Sequence, residues 1–177
     1  MPTTYTKWTR DEIERAFEDY QRVALECGQT GKWEPWCELF TLDCTYIEAQ
    51  AGRIGGREAL KRLYRNLFTI FPARHFIYSP VEWYMVDEFR GWVSTCFWVR
   101  MSDPGDGSIH QEYCYSLLKY AGNGQWSFEE DMYDPRRLMS MVDRWIEARK
   151  RCDPGWDVSQ EKGGDAYSAL ATPHPKA

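Results

Sequence analysis

Residues Gly31–Ala49, GKWEPWCELFTLDCTYIEA, join two different patterns. Trp33, Trp36, Leu39 and Phe40 recur at helical spacing; Cys44, Tyr46 and Glu48 then alternate with period two, as on a half-buried β-strand. A carboxylate on such a strand costs stability unless it is paired, hydrated or useful. Parity puts Glu48 on the face shared by Cys44 and Tyr46. Either it enters an interior with them, or it sits at the strand end, in water or paired with Arg53 or Arg57.

The elements on both sides of this stretch carry local signals of their own. Upstream, Thr9 and Glu12 form a capping box ahead of Ile13, Ala16, Phe17, Tyr20, Ala24 and Cys27, which share one helical face; Gly28 and Gly31 end this helix. Downstream, GGREALKRLYRNLF (55–68) places Ala59, Leu60, Leu63, Tyr64, Leu67 and Phe68 at helical spacing. Four period-two segments follow: RHFIYSPVEWYMV (74–86), GWVSTCFWVRM (91–101), IHQEYCYSLLKY (109–120) and QWSFEEDMY (125–133). Turn-forming stretches separate them, so they predict an antiparallel meander to whose edge the Glu48 strand can add. Finally, Asp134 as N-cap and Pro135 open a fourth helix with Leu138, Met141, Val142 and Trp145 on one stripe. That stripe must cover either the open end of the sheet or a neighbouring subunit. The pattern predicts an α+β fold: three N-terminal helices on a curved, mostly antiparallel sheet, plus a C-terminal helix. Residues 1–151 form one domain, and the Gly-, Pro- and polar-rich segment 152–177 reads as a flexible tail.

Composition narrows the function. Of 177 residues, 16% are aromatic, including 9 Trp and 11 Tyr, which suits a lined cavity as well as a packed core or dimer face. The net charge of −5, with no basic stripe, argues against nucleic acid as a partner. No apolar run approaches the length of a membrane span and no signal peptide is evident, so a soluble cytoplasmic protein is expected. The six cysteines form no C-x-x-C pair and sit within apolar patterns, as buried thiols of a reducing compartment do. His75, His110 and His174 lie far apart, so neither a metal site nor a cofactor is expected.

In order and spacing, GKWEPWCELFTLDCTYIEA, GRIGGREALKRLY and YAGNGQWSFEEDMY resemble the nuclear transport factor 2-like superfamily, in its SnoaL-like branch with ketosteroid isomerase, scytalone dehydratase and limonene epoxide hydrolase. The likeness runs from about Thr9 to Tyr133 and implies a cone-shaped roll. It places Glu48 where the isomerase carries its proton-shuttling carboxylate. ARHFIY resembles the dehydratase strand bearing a catalytic histidine, which implies that role for His75, the alternative being a histidine hydrogen-bonded at the sheet's rim or paired with a surface acid. On the last strand, Glu129, Asp131 and Tyr133 share a face that the likeness turns inward, making Asp131 an acid or an orienting group for His75. Tyr20 would supply the phenol donor to an oxyanion. Tyr46, Trp36, Phe97, Ser116 and Tyr133 would line the substrate site. Three positions depart from the pattern: Ser116 replaces the isomerase's oxyanion-hole acid, Val99 the dehydratase's second histidine, and Arg100 has no acid two places on, as the epoxide hydrolase pattern would need.

The resemblance thus implies a cofactor-independent acid/base enzyme on a hydrophobic, cyclic small molecule. Its alternatives are a binding or dimerisation module without catalysis, and the small subunit of a ring-hydroxylating dioxygenase. Tyr113, Tyr115 and Leu117, on one side of their strand, make a homodimer through the outer sheet face plausible.

Overall fold

A computed structural model describes residues 7–164. Helix α1 (Arg10–Thr30) begins where the Thr9 side chain accepts the Glu12 N–H at 3.2 Å and ends at Gly31. There φ is +71°, in the left-handed region that glycine adopts without strain, and the Gly31 N–H reaches the Cys27 carbonyl at 2.7 Å. Ile13, Phe17, Tyr20, Val23 and Cys27 form its buried stripe. Gly28, expected with Gly31 at the helix end, lies inside α1. A Cβ there would stand 2.5 Å from the Ile77 carbonyl oxygen, so glycine lets helix and strand backbones approach closely.

Helix α2 (Glu34–Cys37) is a single turn with Pro35 in its first positions; Phe40, read from the sequence as part of this helix, opens the first strand instead. Strand β1 (Phe40–Glu48) forms a hairpin with β2 (Gly52–Gly55), whose glycine-rich sequence carries no alternation to predict it. After α3 (Arg57–Leu67), a short 3₁₀ turn covers Ala73–His75. The single strand expected over 74–86 is divided at Ser79 and Pro80 into β3 (Phe76–Tyr78) and β4 (Val81–Asp87), both antiparallel to β5 (Trp92–Met101). Strands β6 (Gln111–Gly122) and β7 (Gln125–Met132) complete the meander; Asn123 and Gly124 both take positive φ in the turn between them, as a two-residue hairpin loop requires. The sheet order is β2-β1-β7-β6-β5-β3, with β4 also on β5, and β1 joins β7 in parallel. The fold is therefore the expected α+β arrangement, with a large curved sheet that does not close.

Two apolar clusters hold it. The larger joins α1, α2 and α3 to the concave sheet face through Phe17, Trp36, Phe40, Leu60, Leu118 and Trp126. The smaller packs α4 (Pro135–Cys152) through Leu138, Met141, Val142 and Trp145 against Phe71, Met101 and Val158. Of the two coverings expected for α4, it thus provides the one at the open end of its own chain's sheet.

The stretch read as the start of a flexible tail is packed as far as Gly164. Val158 is buried in the second cluster, the Phe71 N–H donates to the Lys162 carbonyl at 2.8 Å, and the Glu161 carboxylate accepts from Trp156 and Arg74. Composition could not show this, because a few anchoring side chains among polar residues suffice. The rest of that segment, 165–177, lies outside the described residues. No described helix is long and apolar enough to cross a membrane.

Gly28 provides a test of opposite sign to helix propensity. Gly→Ala inside a helix ordinarily stabilises by about 1 kcal/mol. Here the overlap with Ile77 makes Gly28→Ala destabilising, by about 1–3 kcal/mol as overpacking costs, read from denaturant midpoints.

Candidate active-site cavity

The concave face of the sheet, α1, α3 and the start of α4 enclose a cavity of about 550 Å³, within the size range of small-molecule sites. Phe17, Trp33, Trp36, Tyr64, Phe76 and Phe97 supply much of its wall. The rings pack on one another rather than filling the space: Trp36 stacks on Tyr64 at 4.5 Å between centroids, and Trp33 on Phe68 at 4.2 Å. Large rigid side chains held against their neighbours cannot collapse inward, so the hollow stays open.

Strand parity delivers the polar groups. Tyr46 and Glu48 on β1 and Glu129 and Asp131 on β7 all line the cavity, with Tyr46 and Glu129 adjacent in register. The Tyr64 hydroxyl donates to the Tyr46 hydroxyl at 2.8 Å, and Tyr46 donates to Asp131 Oδ2 at 2.5 Å. Ser116, the cross-strand neighbour of Asp131, donates to its Oδ1. Tyr20 donates to Glu129 Oε1 at 2.7 Å, while Glu129 Oε2, with the residue only 1% exposed, has no hydrogen-bond partner among the described residues. Glu48 serves two ends: Oε1 accepts from Tyr133, and Oε2 accepts the Gln50 and Ala51 N–H groups at 2.8 and 2.5 Å, tying the β1–β2 turn.

These surroundings shift the acidity of each group. Burial first, then the charge of Asp131, pushes the Glu129 carboxyl well above the ordinary range. Burial also raises Asp131, to about 6, against the stabilising hydrogen bonds from Ser116 and Tyr46 to its charged form. Tyr20, Tyr46 and Tyr64 are raised by burial and by the nearby carboxylates, so they remain donors at neutral pH.

Of the residues singled out from sequence, Glu48, Asp131, Tyr20, Tyr46, Trp36, Phe97 and Tyr133 meet at this cavity. Ser116 stands behind Asp131 and supports it without lining the space. Glu48 is not paired with Arg53 or Arg57, which bind Thr45 and the Phe40 carbonyl with Glu38.

His75 does not join them. The 3₁₀ turn, closed by the His75 N–H on the Pro72 carbonyl, carries its ring against Trp145 at 4.6 Å. Nδ1 lies 3.1 Å from Ser102 Oγ and Nε2 3.7 Å from Glu161. It is the rim histidine of the alternative reading, lowered by burial, and Asp131 orients Tyr46 and Ser116 rather than His75. Glu129 is the polar residue that the sequence reading passed over. The signal was present, since parity puts it on the Asp131 face, but nothing in the sequence shows that Tyr20 reaches it.

No family model and no curated protein matches the sequence. The structure is similar to an NTF2-like protein from Anabaena variabilis, with a TM-score of 0.56 and 13% identity, covering 72% of this chain and 93% of that one. It is similar to an LEH-like epoxide hydrolase from M. tuberculosis, with a TM-score of 0.56 and 16% identity, covering 78% and 94%. It also resembles SalBIII, an epoxide hydrolase/cyclase-like enzyme in pyran ring formation in the polyether salinomycin, with a TM-score of 0.55 and 11% identity, covering 72% and 94%. At these identities the likeness establishes the fold, the NTF2-like cone.

The raised Asp131 makes stability depend on pH. The folded chain holds that proton more tightly than the unfolded one, whose ordinary value is 3.8, so the contribution is complete below that value and gone above about 6. Asp131→Asn never ionises; across that window it should gain on the wild type with rising pH, by up to about 3 kcal/mol. Melting curves at several pH values check this, and a pH-independent difference contradicts it.

Proposed function

We propose that this chain is a cofactor-independent acid/base enzyme, of dehydratase, isomerase or cyclase type, acting on a hydrophobic cyclic small molecule in the cavity. One observation carries the reading: two carboxyls two residues apart on β7 both line the hollow, each held by its own neutral donors, and burial raises Glu129 well above the ordinary range but Asp131 only to about 6. Such a divided pair assigns acid and base. Asp131, ionised above about pH 6, takes a proton from carbon α to a carbonyl, with Tyr46 and Ser116 fixing its orientation. Glu129, kept protonated and positioned by Tyr20, supplies the proton or hydrogen bond that the developing oxyanion needs. Glu48 and Tyr133 bind the substrate beside the β1–β2 turn. Kinship of fold with hydrolase- and cyclase-like enzymes supports the general kind of activity.

A second reading, a module that binds a small molecule without turnover, draws on a different observation. Both Asp131 oxygens already accept hydrogen bonds within the protein, which suits a structural acid as well as a base.

Solvent deuterium exchange separates the two. A panel of cyclic ketones and β-hydroxyketones in D₂O is followed by NMR at the α carbon. Wild type should exchange with at least one, Asp131→Asn should lose about 10²–10⁴-fold of that rate, and His75→Ala should keep it. Exchange that Asp131→Asn leaves untouched contradicts the mechanism.

We assign the chain to the cytoplasm as a homodimer. None of the cysteines among the described residues is disulfide-bonded, and five are buried. On the convex face Trp83, Cys96, Tyr115 and Met132 form a row in register across β4, β5, β6 and β7, and Trp98 packs on Tyr113 at 3.9 Å. Trp83, Tyr115 and Met132 are 41%, 45% and 49% exposed, an apolar stripe that a second copy would bury. Sedimentation equilibrium should give twice the chain mass, falling to one in Tyr115→Lys.

A further inference from the structure

The cavity's charge is one-sided. Among the described residues its lining includes Glu48, Glu129 and Asp131 and no Lys, Arg or His. Every group that donates to these carboxyls is neutral: Tyr20 to Glu129, Tyr46 and Ser116 to Asp131, and Tyr133 with two backbone N–H groups to Glu48. Hydrogen bonds from neutral donors stabilise a carboxylate but leave its charge uncompensated, and a buried charge is costly unless it has a counter-charge. Glu129 adds a second observation: it lines the cavity, is almost wholly buried, and has one carboxyl oxygen that accepts from no donor among the described residues.

The rest of the wall fits the same conclusion. Phe17, Trp33, Trp36, Tyr64 and Phe97 surround the space with aromatic rings, whose faces carry negative electrostatic potential. An anionic ligand would meet carboxyls and ring faces with no compensating cation. An uncharged one would fill the volume and leave the electrostatics unimproved. A cation bearing apolar groups meets both features, since attraction to a ring face strengthens when water is excluded.

We infer that the ligand of this cavity is an organic cation, an apolar molecule carrying a protonated or quaternary nitrogen that lies against the aromatic wall and takes the Asp131 carboxylate as its counter-charge. This rests on the cavity being the ligand site, as proposed above, and it narrows the substrate from hydrophobic to hydrophobic and positively charged. It requires no particular reaction.

Three benzyl probes of different charge test it: benzyltrimethylammonium, its isosteric uncharged carbon analogue neopentylbenzene, and the anion phenylacetate. Each is titrated against the full chain near neutral pH and followed by tryptophan fluorescence, since Trp33 and Trp36 stand in the wall. The ammonium should bind roughly tenfold or more tightly than neopentylbenzene, and phenylacetate should not bind. Asp131→Asn, a near-isosteric change that removes the charge, should reduce that preference to about threefold or less. The wild-type comparison stands even where the variant fails to fold. Neopentylbenzene binding as tightly as the ammonium, or phenylacetate binding at all, overturns the charge assignment while leaving the cavity a ligand site. Failure of all three probes overturns both.

Discussion

Carboxyl groups buried without a counter-ion are the constraint on which the rest of this molecule depends. Glu129 and Asp131 stand next but one to each other on β7, inside the sheet's curve, and the groups that hold them are phenols and a serine. Neutral donors can position an acid but cannot cancel its charge. The protein answers by weakening both acids: burial raises Glu129 well above the ordinary carboxyl range and Asp131 to about 6. What would be a cost in a packed core becomes, beside an open cavity, a pair of groups able to give and take protons.

The fold makes that possible by refusing to close. The sheet curls without completing a barrel, and α1 and α3 lay stiff aromatic rings across its hollow. Gly28 brings α1 onto β3 at a distance no other residue would allow. At the other end, α4 and the segment after it are fastened to the Phe71 region by Trp145, Val158 and the Lys162 carbonyl. Leu138, Met139 and Gly163 from these parts reach the cavity lining, so the C-terminal residues shape the site as well as cap the core.

Where local physics governs, the sequence was legible. Thr9 and Gly31 frame α1 through hydrogen bonds that need no tertiary partner, and period-two alternation grouped Tyr46 with Glu48 and Glu129 with Asp131 on common faces, while the family likeness was needed to turn those faces inward. Legibility failed where a side chain's neighbours come from distant elements. His75 was read into the cavity on a likeness, but a short turn after Pro72 rotates it to Trp145 and Ser102, out of reach of Asp131. Glu129 lay in plain view on the correct face, yet its importance depends on Tyr20, over a hundred positions away. β2 escaped notice because backbone pairing with β1 alone defines it.

The protonation of Glu129 tests this account most directly. Infrared difference spectra between wild type and Glu129→Gln near neutral pH report whether the carboxyl carries its proton. The account predicts a protonated carboxylic C=O stretch in the wild type that vanishes in the variant. A difference spectrum showing loss of ionised carboxylate bands instead would mean that Glu129 is charged, and would contradict the acid and base assignment built on it.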